Sequence, residues 1–416
     1  MGEWSATTLG AICRESGGDI QTGPFGSQLH ASDYVAQGVP SVMPQNIGDN
    51  RIVIDGIARV SDKDVKRLSR YTLREGDIVY SRRGDVERRA LVRAENQGWL
   101  CGTGCLRVRI PDATKYDAAF VSYALGARPV RRWISRHAVG ATMLNLNTAI
   151  LAAVPLSVPR IGSQRAIAKL LGSLDDQIAS NERVADAALE LGDQLFVHAA
   201  ARIEGAATTI GELADSSAIE FSDGYRTKKS EHGQPGLRIL RAGDVRDSYL
   251  FPAGQDYVSL DYSRQIGSKA SMPGDVVLTT KGSVGRVAVV ADAVERVVYS
   301  PQVCFFRVKD DGQVDRDYLG AWFRGSDLQR QTSTLMYKSD MAPYISLRDI
   351  RSLVIPLPSI EEQRRQGKVQ WNLRAAFEAS RVENERLVRT RDELLPLLMS
   401  GKIVVGEAED VIRSVV

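Results

Sequence analysis

Residues 74–84 read Arg74-Glu75-Gly76-Asp77-Ile78-Val79-Tyr80-Ser81-Arg82-Arg83-Gly84, and residues 272–282 read Met272-Pro273-Gly274-Asp275-Val276-Val277-Leu278-Thr279-Thr280-Lys281-Gly282. Both glycines and the aspartate recur at one offset, 198 residues. Upstream, Thr8-Leu9-Gly10 returns as Thr209-Ile210-Gly211. Downstream, Val154-Pro155-Leu156-Ser157-Val158-Pro159 matches Leu353-Val354-Ile355-Pro356-Leu357-Pro358, and Ile161-Gly162-Ser163-Gln164-Arg165 matches Ile360-Glu361-Glu362-Gln363-Arg364, both at offset 199. A register held this closely over about 150 positions marks a duplicated unit. Two copies are too few for a solenoid, which stacks three or more.

Each copy has the same internal order. Short runs rich in Val, Ile and Tyr, cut by Gly and Pro, read as strands and turns. The clearest strands are Ile52–Ile54, Asp77–Ser81, Leu106–Ile110, Asp275–Thr280, Val287–Val290 and Val303–Val308. Short helices are expected at Ala118–Leu125 and Asp317–Phe323, and at 148–153 and 347–352 with Asn147 and Ser346 as N-caps. The proline segments Pro155–Pro159 and Pro356–Pro358 should be extended, because proline disfavours helix at its predecessor. After each, the period turns helical. Ile167, Leu170, Leu171, Leu174, Ile178, Val184, Ala188, Leu191 and Leu195 form one apolar stripe running to about Ala201, and Val369, Leu373, Phe377, Leu387, Leu394, Leu395 and Leu398 form the other, ending near Gly401. Helices of about 40 residues, roughly 60 Å long, call for coiled-coil pairing. An antiparallel pair would send the two globular units to opposite ends, giving a dumb-bell. The fold class expected is mixed α/β (α+β): two pseudo-repeated globular domains and two long helices forming an antiparallel coiled coil. The domain boundaries expected are 1–160, a helix at 161–204, 205–359, a second helix at 360–402, and a tail at 403–416.

Composition narrows the class without naming an activity. The 416 residues are 43% hydrophobic and 25% charged, with a formal charge of +3. Such a length exceeds one ordinary domain. No apolar run approaches the roughly 18–20 residues of a spanning helix, and residues 1–20 lack a basic-then-apolar leader, so a cytoplasmic protein without membrane contact is expected. Cys13, Cys101, Cys105 and Cys304 are too scattered for a disulfide framework. The charge divides unevenly, +6 over residues 1–160 and −3 over 161–205. Basic clusters stand at Arg82, Arg83, Arg88 and Arg89, at Arg131, Arg132 and Arg136, and at Arg226, Lys228 and Lys229. Basic globular ends on a helix that is not basic point to polyanion binding at the ends and protein binding along the rod.

The chemistry of known enzyme motifs is missing. His30, His137, His198 and His232 form no metal-ligand pattern, and Cys101 with Cys105 lacks a second pair. There is no phosphate-binding Gly-x-x-x-x-Gly-Lys-[Ser/Thr] string, no nucleophile elbow, and no Asn/Asp-Pro-Pro-Tyr string of an adenine-amino methyltransferase.

The stretch Ile20-Gln21-Thr22-Gly23-Pro24-Phe25-Gly26-Ser27, with Asp33-Tyr34 and Gly38-Val39-Pro40 after it, resembles the opening of a target-recognition domain. The Gly-Asp strand ending in Arg82-Arg83-Gly84 or Thr280-Lys281-Gly282 does too, and Gln-Arg leading into a long helix with Leu174-Asp175-Asp176-Gln177-Ile178 resembles the linker that follows such domains. The ordered set is similar to the specificity (S) subunit of type I restriction–modification systems. The second copy departs by lacking Gly-Pro-Phe-Gly and offering Asp223-Gly224-Tyr225-Arg226 nearby. The resemblance implies a non-catalytic reader of double-stranded DNA. Each domain would bind half of a gapped, asymmetric target, and the coiled coil would set the gap and dock two methyltransferase (M) subunits. It implies no cofactor on this chain: S-adenosylmethionine would belong to the methyltransferase, and ATP and Mg to the restriction/translocase (R) subunits.

Candidate DNA contacts follow. Arg82, Arg83, Arg88 and Arg89 end a strand at a glycine turn, as do Lys281 and Arg286, and arginine to guanine is the commonest specific contact; a solvated loop paired with Asp85 and Glu87 is the plainer role. Tyr225, Arg226, Lys228 and Lys229 join an aromatic to phosphate-seeking charge, or form an exposed turn. Gly23 permits close backbone approach, with Phe25 either presented or buried in the core. Gln45-Asn46 and the corresponding Gly243-Asp244 end a strand, where Gln or Asn would read adenine or simply form turns, and Arg241 and Asp244 are candidate contacts there. Other readings are a recognition protein of a related defence system with different partners, and a coiled-coil scaffold.

Overall fold

The computed structural model describes residues 4–140, 143–200, 207–246, 248–309, 313–336 and 343–415. Its motifs explain the repeat. In the first copy, Thr8 Oγ1 accepts from Ala11 N at 3.2 Å and caps the helix Leu9–Glu15. Thr209 caps Ile210–Asp215 in the same way, with Glu212 returning a bond to Thr209 N at 2.8 Å. The following glycines are there for space: a Cβ on Gly10 would lie 2.9 Å from Ala152 Cβ, and one on Gly211 3.0 Å from Arg351 O. Those neighbours belong to the short helices Thr148–Ala152 and Leu347–Arg351, capped by Asn147 and Ser346 as expected. The proline segments are strands that close each copy on its own start, Pro155–Val158 antiparallel to Ser5–Thr8 and Val354–Pro356 antiparallel to Ala207–Thr209.

The Gly-Asp pair is a buried joint. Gly76 and Gly274 sit at φ +83° and +86°, where only glycine is unstrained. Asp77 accepts from Arg74 N at 2.8 Å and takes the Arg109 guanidinium at 2.7 and 2.6 Å. Asp275 does the same with Met272 N (2.9 Å) and Arg307 (2.8 and 2.6 Å). Two charges this well buried persist because each is paired and hydrogen-bonded. The glutamine of the Gln-Arg motif is equally structural. Gln164 accepts from Asp117 N at 3.0 Å and donates to Pro159 O at 2.8 Å; Gln363 accepts from Asp315 N at 3.0 Å and donates to Pro358 O at 2.9 Å.

The chain divides into two compact units, Met1–Ser180 with Glu383–Val416, and Asn181–Val382. The first holds a five-stranded sheet in the order Asp19–Thr22, Cys105–Arg109, Ile78–Ser81, Arg89–Leu91, Asp49–Asn50. A three-stranded sheet follows the order Ala58–Val60, Tyr34–Val42, Leu100–Cys101. The second holds Ile219–Asp223, Val303–Val308, Val276–Thr279, Val287–Val289, and a three-stranded sheet Tyr257–Ser259, Gly236–Leu240, Val297–Tyr299. In both three-stranded sheets the last pairing is parallel. Helices Ala118–Gly126 and Arg316–Arg324 cover the larger sheets.

Helices Ile161–Ala200 and Ile360–Met399 are 40 residues each and pack together. Their sense is antiparallel: in the first unit Ile178 O accepts from Asn384 Nδ2 at 3.0 Å, while Asp175, earlier on one helix, meets Arg391, later on the other, at 2.8 Å. Ile167, Leu171, Leu174 and Ile178 join Leu387, Leu394 and Leu398 in the first core. The helix Val405–Val415 forms within the expected tail and buries Ala408 there.

Three expectations need correction. Ile52–Ile54 is no strand; only Ile52 makes a bridge, to Ile47, and Ile54 is 67% exposed. Gln45-Asn46 and Gly243-Asp244 lie beyond their strands, in short 3-10 turns at Pro44–Asn46 and Ala242–Asp244. The apolar stripe is not wholly core either. Val184, Leu191, Leu195 and Val369 are exposed, and the buried seam of the second unit's helix stretch uses Ala185, Ala188, Gly192 and Phe196. Small residues win there because they let the helices close up: Gln370 Nε2 reaches Gly192 O at 2.8 Å, and a Cβ on Gly192 would meet Gln370 Oε1 at 3.0 Å. Ala201 and the expected boundary at 204/205 lie outside the described residues.

Candidate nucleic-acid interface

In the first unit, several loops converge at one end of the strands. Gly23 N donates to Cys105 O at 2.9 Å, and a Cβ on Gly23 would fall 2.1 Å from Gly102 O. This close seat carries Phe25 outward, 51% exposed rather than in the core. The strand Ile78–Ser81 delivers Arg82, whose N donates to Gly104 O at 2.8 Å and whose guanidinium lies 5.6 Å from the Phe25 ring centroid. Among the described residues Arg82 Nε is buried without a hydrogen-bond partner. Gly84, at φ +76°, turns the chain, and its N donates to Leu144 O at 3.0 Å, so 82–84 is laced to 144–146. Arg83 stays exposed beside Asn145. Gln45 is exposed on the turn whose Pro44 lies 3.2 Å from a Cβ built on Gly104. Arg88 is exposed and pairs with Asp85 at 2.9 Å.

The second unit rebuilds the same junction with other side chains. Gly224 takes the place of Gly23: a Cβ there would lie 2.2 Å from both Tyr299 O and Ser300 O. Thr280 N donates to Gln302 O at 2.9 Å and Ile345 N to Thr280 O at 3.0 Å, as Arg82 N does to Gly104 O and Leu146 N to Arg82 O. Lys281 is exposed and bridges the backbone of Tyr344, itself 47% exposed. Arg226 is almost entirely outward, 3.8 Å from Asp223, and Lys228 and Lys229 are exposed on the adjoining turn.

Other candidates are spent internally. Asn46 is fully buried: its Oδ1 accepts from Met43 N at 3.2 Å and its Nδ2 donates to Val53 O and Asp55 O, so it builds the turn and offers nothing outward. Arg89 is 5% exposed, its Nε on Ser122 O and its guanidinium against Gly126. Asp244 is the counterpart of Asn46, accepting from Arg241 N at 2.8 Å. Arg241 pairs with Asp256 at 2.5 Å, and that guanidinium holds the Asp256 carboxyl below the usual range. Tyr225 is half-buried on a small core, and burial followed by its bond to Glu231 pushes its hydroxyl up. Arg286 is half-buried, reaching Val245 O at 3.4 Å. Asn145, Gln302 and Tyr344 carried no motif of their own, but Gln302 stands at the Gly104 position at offset 198 and Tyr344 at the Asn145 position at offset 199, so the repeat was a usable signal for their equivalence.

At both junctions, exposed cations and planar groups stand on loops braced by backbone bonds. That arrangement suits phosphate and base-edge contact. Among the described residues no group of three or more His, Cys, Asp or Glu side chains is placed to hold a metal ion, and no helix is long and apolar enough to cross a membrane.

The chain matches the type I restriction modification DNA specificity domain over residues 32–190 and again over 208–387. It is 21% identical over 303 residues to the type I restriction enzyme MjaVIII specificity subunit of Methanocaldococcus jannaschii, covering 69% of this chain and 70% of that one. It is 22% identical over 389 residues to the putative MjaX specificity subunit of the same organism, covering 88% and 87%. A crystal structure of the type I restriction–modification S subunit from M. genitalium shares the fold, with a TM-score of 0.63 at 17% identity over 95% of this chain and 96% of that one.

Proposed function

This chain belongs to the type I restriction–modification DNA specificity family, and we propose from that premise that it reads a bipartite DNA target and lends the reading to catalytic partners. The observation that carries the reading is the repeated loop junction, which presents Phe25, Gln45, Arg82, Arg83 and Arg88 in one copy and Arg226, Lys228, Lys229 and Lys281 in the other. Each junction contacts one half-site. The two differ in side chains on a common backbone, so the halves differ in sequence. The long helix pair sets the gap between them, because a stiff rod ties their separation to DNA turns of roughly 34–36 Å.

The chain supplies no chemistry of its own. Two methyltransferase subunits dock along the helices and bring S-adenosylmethionine for adenine-N6 transfer, and restriction subunits bring ATP and Mg. Val184, Leu191 and Leu195 support the docking: spaced at seven and four residues, they share one helix face and are 49%, 47% and 42% exposed. The complex works in the cytoplasm.

The test is long-read methylome sequencing of cells carrying the chain with its methyltransferase. The expected result is one gapped motif with a fixed spacer. Methylation at an ungapped motif, or none that depends on this chain, overturns the reading. A plain scaffold would also show no salt-dependent DNA affinity, since phosphate contacts release counterions.

A further inference from the structure

The helix Arg128–His137 stands outside both junction surfaces just described, yet it is the most one-sided basic element of the first unit. It carries Arg128, Arg131, Arg132 and Arg136 and no acidic residue. Arg131 is spoken for: its Nε donates to Glu87 at 2.8 Å, and Ser135 Oγ donates to the same carboxylate. Those two bonds pin the helix beside the 82–88 loop. Ile134 is fully buried and fixes the opposite face. Arg128, Arg132 and Arg136 are left exposed, spaced four residues apart, and among the described residues none has an ion-pair partner. Positions i, i+4 and i+8 form one ridge, spanning about 12 Å at 1.5 Å per residue.

Three unpaired guanidiniums on a ridge, beside a loop expected to enter a groove, fit a duplex backbone. Over about 12 Å a B-DNA duplex carries on the order of seven phosphate charges. The second copy lacks the ridge. Its helix Ser326–Met336 has Asp327, Gln331 and Leu335 at the corresponding offset of 199, and its Arg330 pairs with Asp327. We propose that Arg128, Arg132 and Arg136 form a sequence-independent phosphate-binding ridge next to the first junction, which makes the grip on the first half of the target the stronger and more salt-dependent one. The proposal rests on the DNA-reading function and adds to it a site outside the reading loops.

The test uses the full chain assembled with its methyltransferase, and fluorescence anisotropy on duplexes carrying the mapped target or scrambled halves, over 50–300 mM salt. The variant is Arg128→Gln/Arg132→Gln/Arg136→Gln, with Arg330→Gln as the second-copy control. The triple variant is expected to flatten the slope of log affinity against log salt by about 2.7, at roughly 0.9 per phosphate contact. Matched and mismatched duplexes should weaken by the same factor, leaving base preference intact, and Arg330→Gln should change the slope by less than one contact. An unchanged slope overturns the ridge. So does an unchanged slope with impaired assembly in native mass spectrometry, which would make the ridge a protein contact. A wild-type complex that binds DNA with no preference for the gapped target refutes the reading function separately, and the ridge is then still judged by the slope on scrambled DNA.

Discussion

The two globular domains carry the same backbone repeat and both meet their own stretch of the helix pair through ion pairs, but the second adds an aromatic contact that the first lacks. In the first unit a single guanidinium is the fastener. Arg391 on the second helix reaches Asp175 of the first at 2.8 Å and Asp49 of the sheet edge at 2.7 Å. Tyr123 adds a bond to Asp175 at 2.6 Å, and Arg93 pairs with Asp176. Burial pulls the Arg391 guanidinium toward lower pKa, but the carboxylates of Asp49 and Asp175 outweigh it and hold it above its ordinary value. In the second unit Arg324 pairs with Asp193 of the first helix at 2.8 Å and Arg374 of the second helix with Asp317 at 3.4 Å. The strand pair Val245–Arg246 and Tyr249–Leu250 adds Tyr249 under Arg381, 3.2 Å from the guanidinium to the ring centroid, with Phe377 beside it at 6.3 Å. A repeated fold therefore does not dictate a repeated joint. Ion networks demand geometry and lose to water when broken, whereas a ring against a guanidinium keeps its apolar area in any salt.

The largest break in this comparison is Arg391→Met. It removes the cation paired with Asp175, 11% exposed, leaving that carboxylate the Tyr123 hydroxyl, and should cost about 3 kcal/mol, or on the order of 6–12 °C of Tm for a unit this size, with Arg391→Lys recovering part. Scanning calorimetry checks it, and a loss under 1 kcal/mol would say that the network is decoration. Tyr249→Ala should cost less, about 1–1.5 kcal/mol, from the lost cation–π and ring contacts, with Tyr249→Phe near wild type. Raising salt from 0.1 to 1 M should separate the two joints. The Asp49 arm, 63% exposed, should exchange its backbone amides faster, while the Tyr249 hairpin should not. Equal responses at both would erase the contrast.

The smallest effect is in pH. Burial pushes the Asp317 and Glu378 carboxyls up, against the pull of Arg374 between them. A raised carboxyl binds its proton better folded than unfolded. Its stabilising contribution is full below the ordinary carboxylate range and is lost as pH rises through the raised value. Protection of the helix Arg316–Arg324, corrected for intrinsic exchange, should therefore rise modestly from pH 7 to pH 5, and Asp317→Asn should reduce the change, with Glu378 left to carry the rest. Protection falling over that interval would contradict the assignment.

Much of the fold was legible because its signals were local. Gly76-Asp77, Thr8 and Thr209, Asn147 and Ser346 each do a job defined within a few residues: a turn at positive φ, or a cap. The site was less legible because exposure is decided by partners far along the chain. Arg83 and Arg89 look alike in sequence, yet strand alternation and a carbonyl at Ser122 turn one outward and the other in. Asn46 suits adenine by type, and the turn it builds consumes every polar atom it has. Periodicity failed between Val184 and Leu195 for a related reason. It finds apolar stripes but cannot tell a buried seam from an exposed face, and here Ala and Gly took the seam. The copy offset, followed position by position, pairs Arg83 with Lys281 and Gly104 with Gln302, and those pairings locate the second junction where its motif has drifted.

The central claim is that each junction reads its own half of a gapped target. The most direct measurement is methylome sequencing of cells carrying the wild-type chain, Arg83→Gln or Lys281→Gln, each with the same methyltransferase. One gapped motif is predicted for the wild type, with Arg83→Gln relaxing bases in one half, Lys281→Gln relaxing bases in the other, and the spacer constant in all three. Both variants altering the same half, or either altering both halves together, would contradict it.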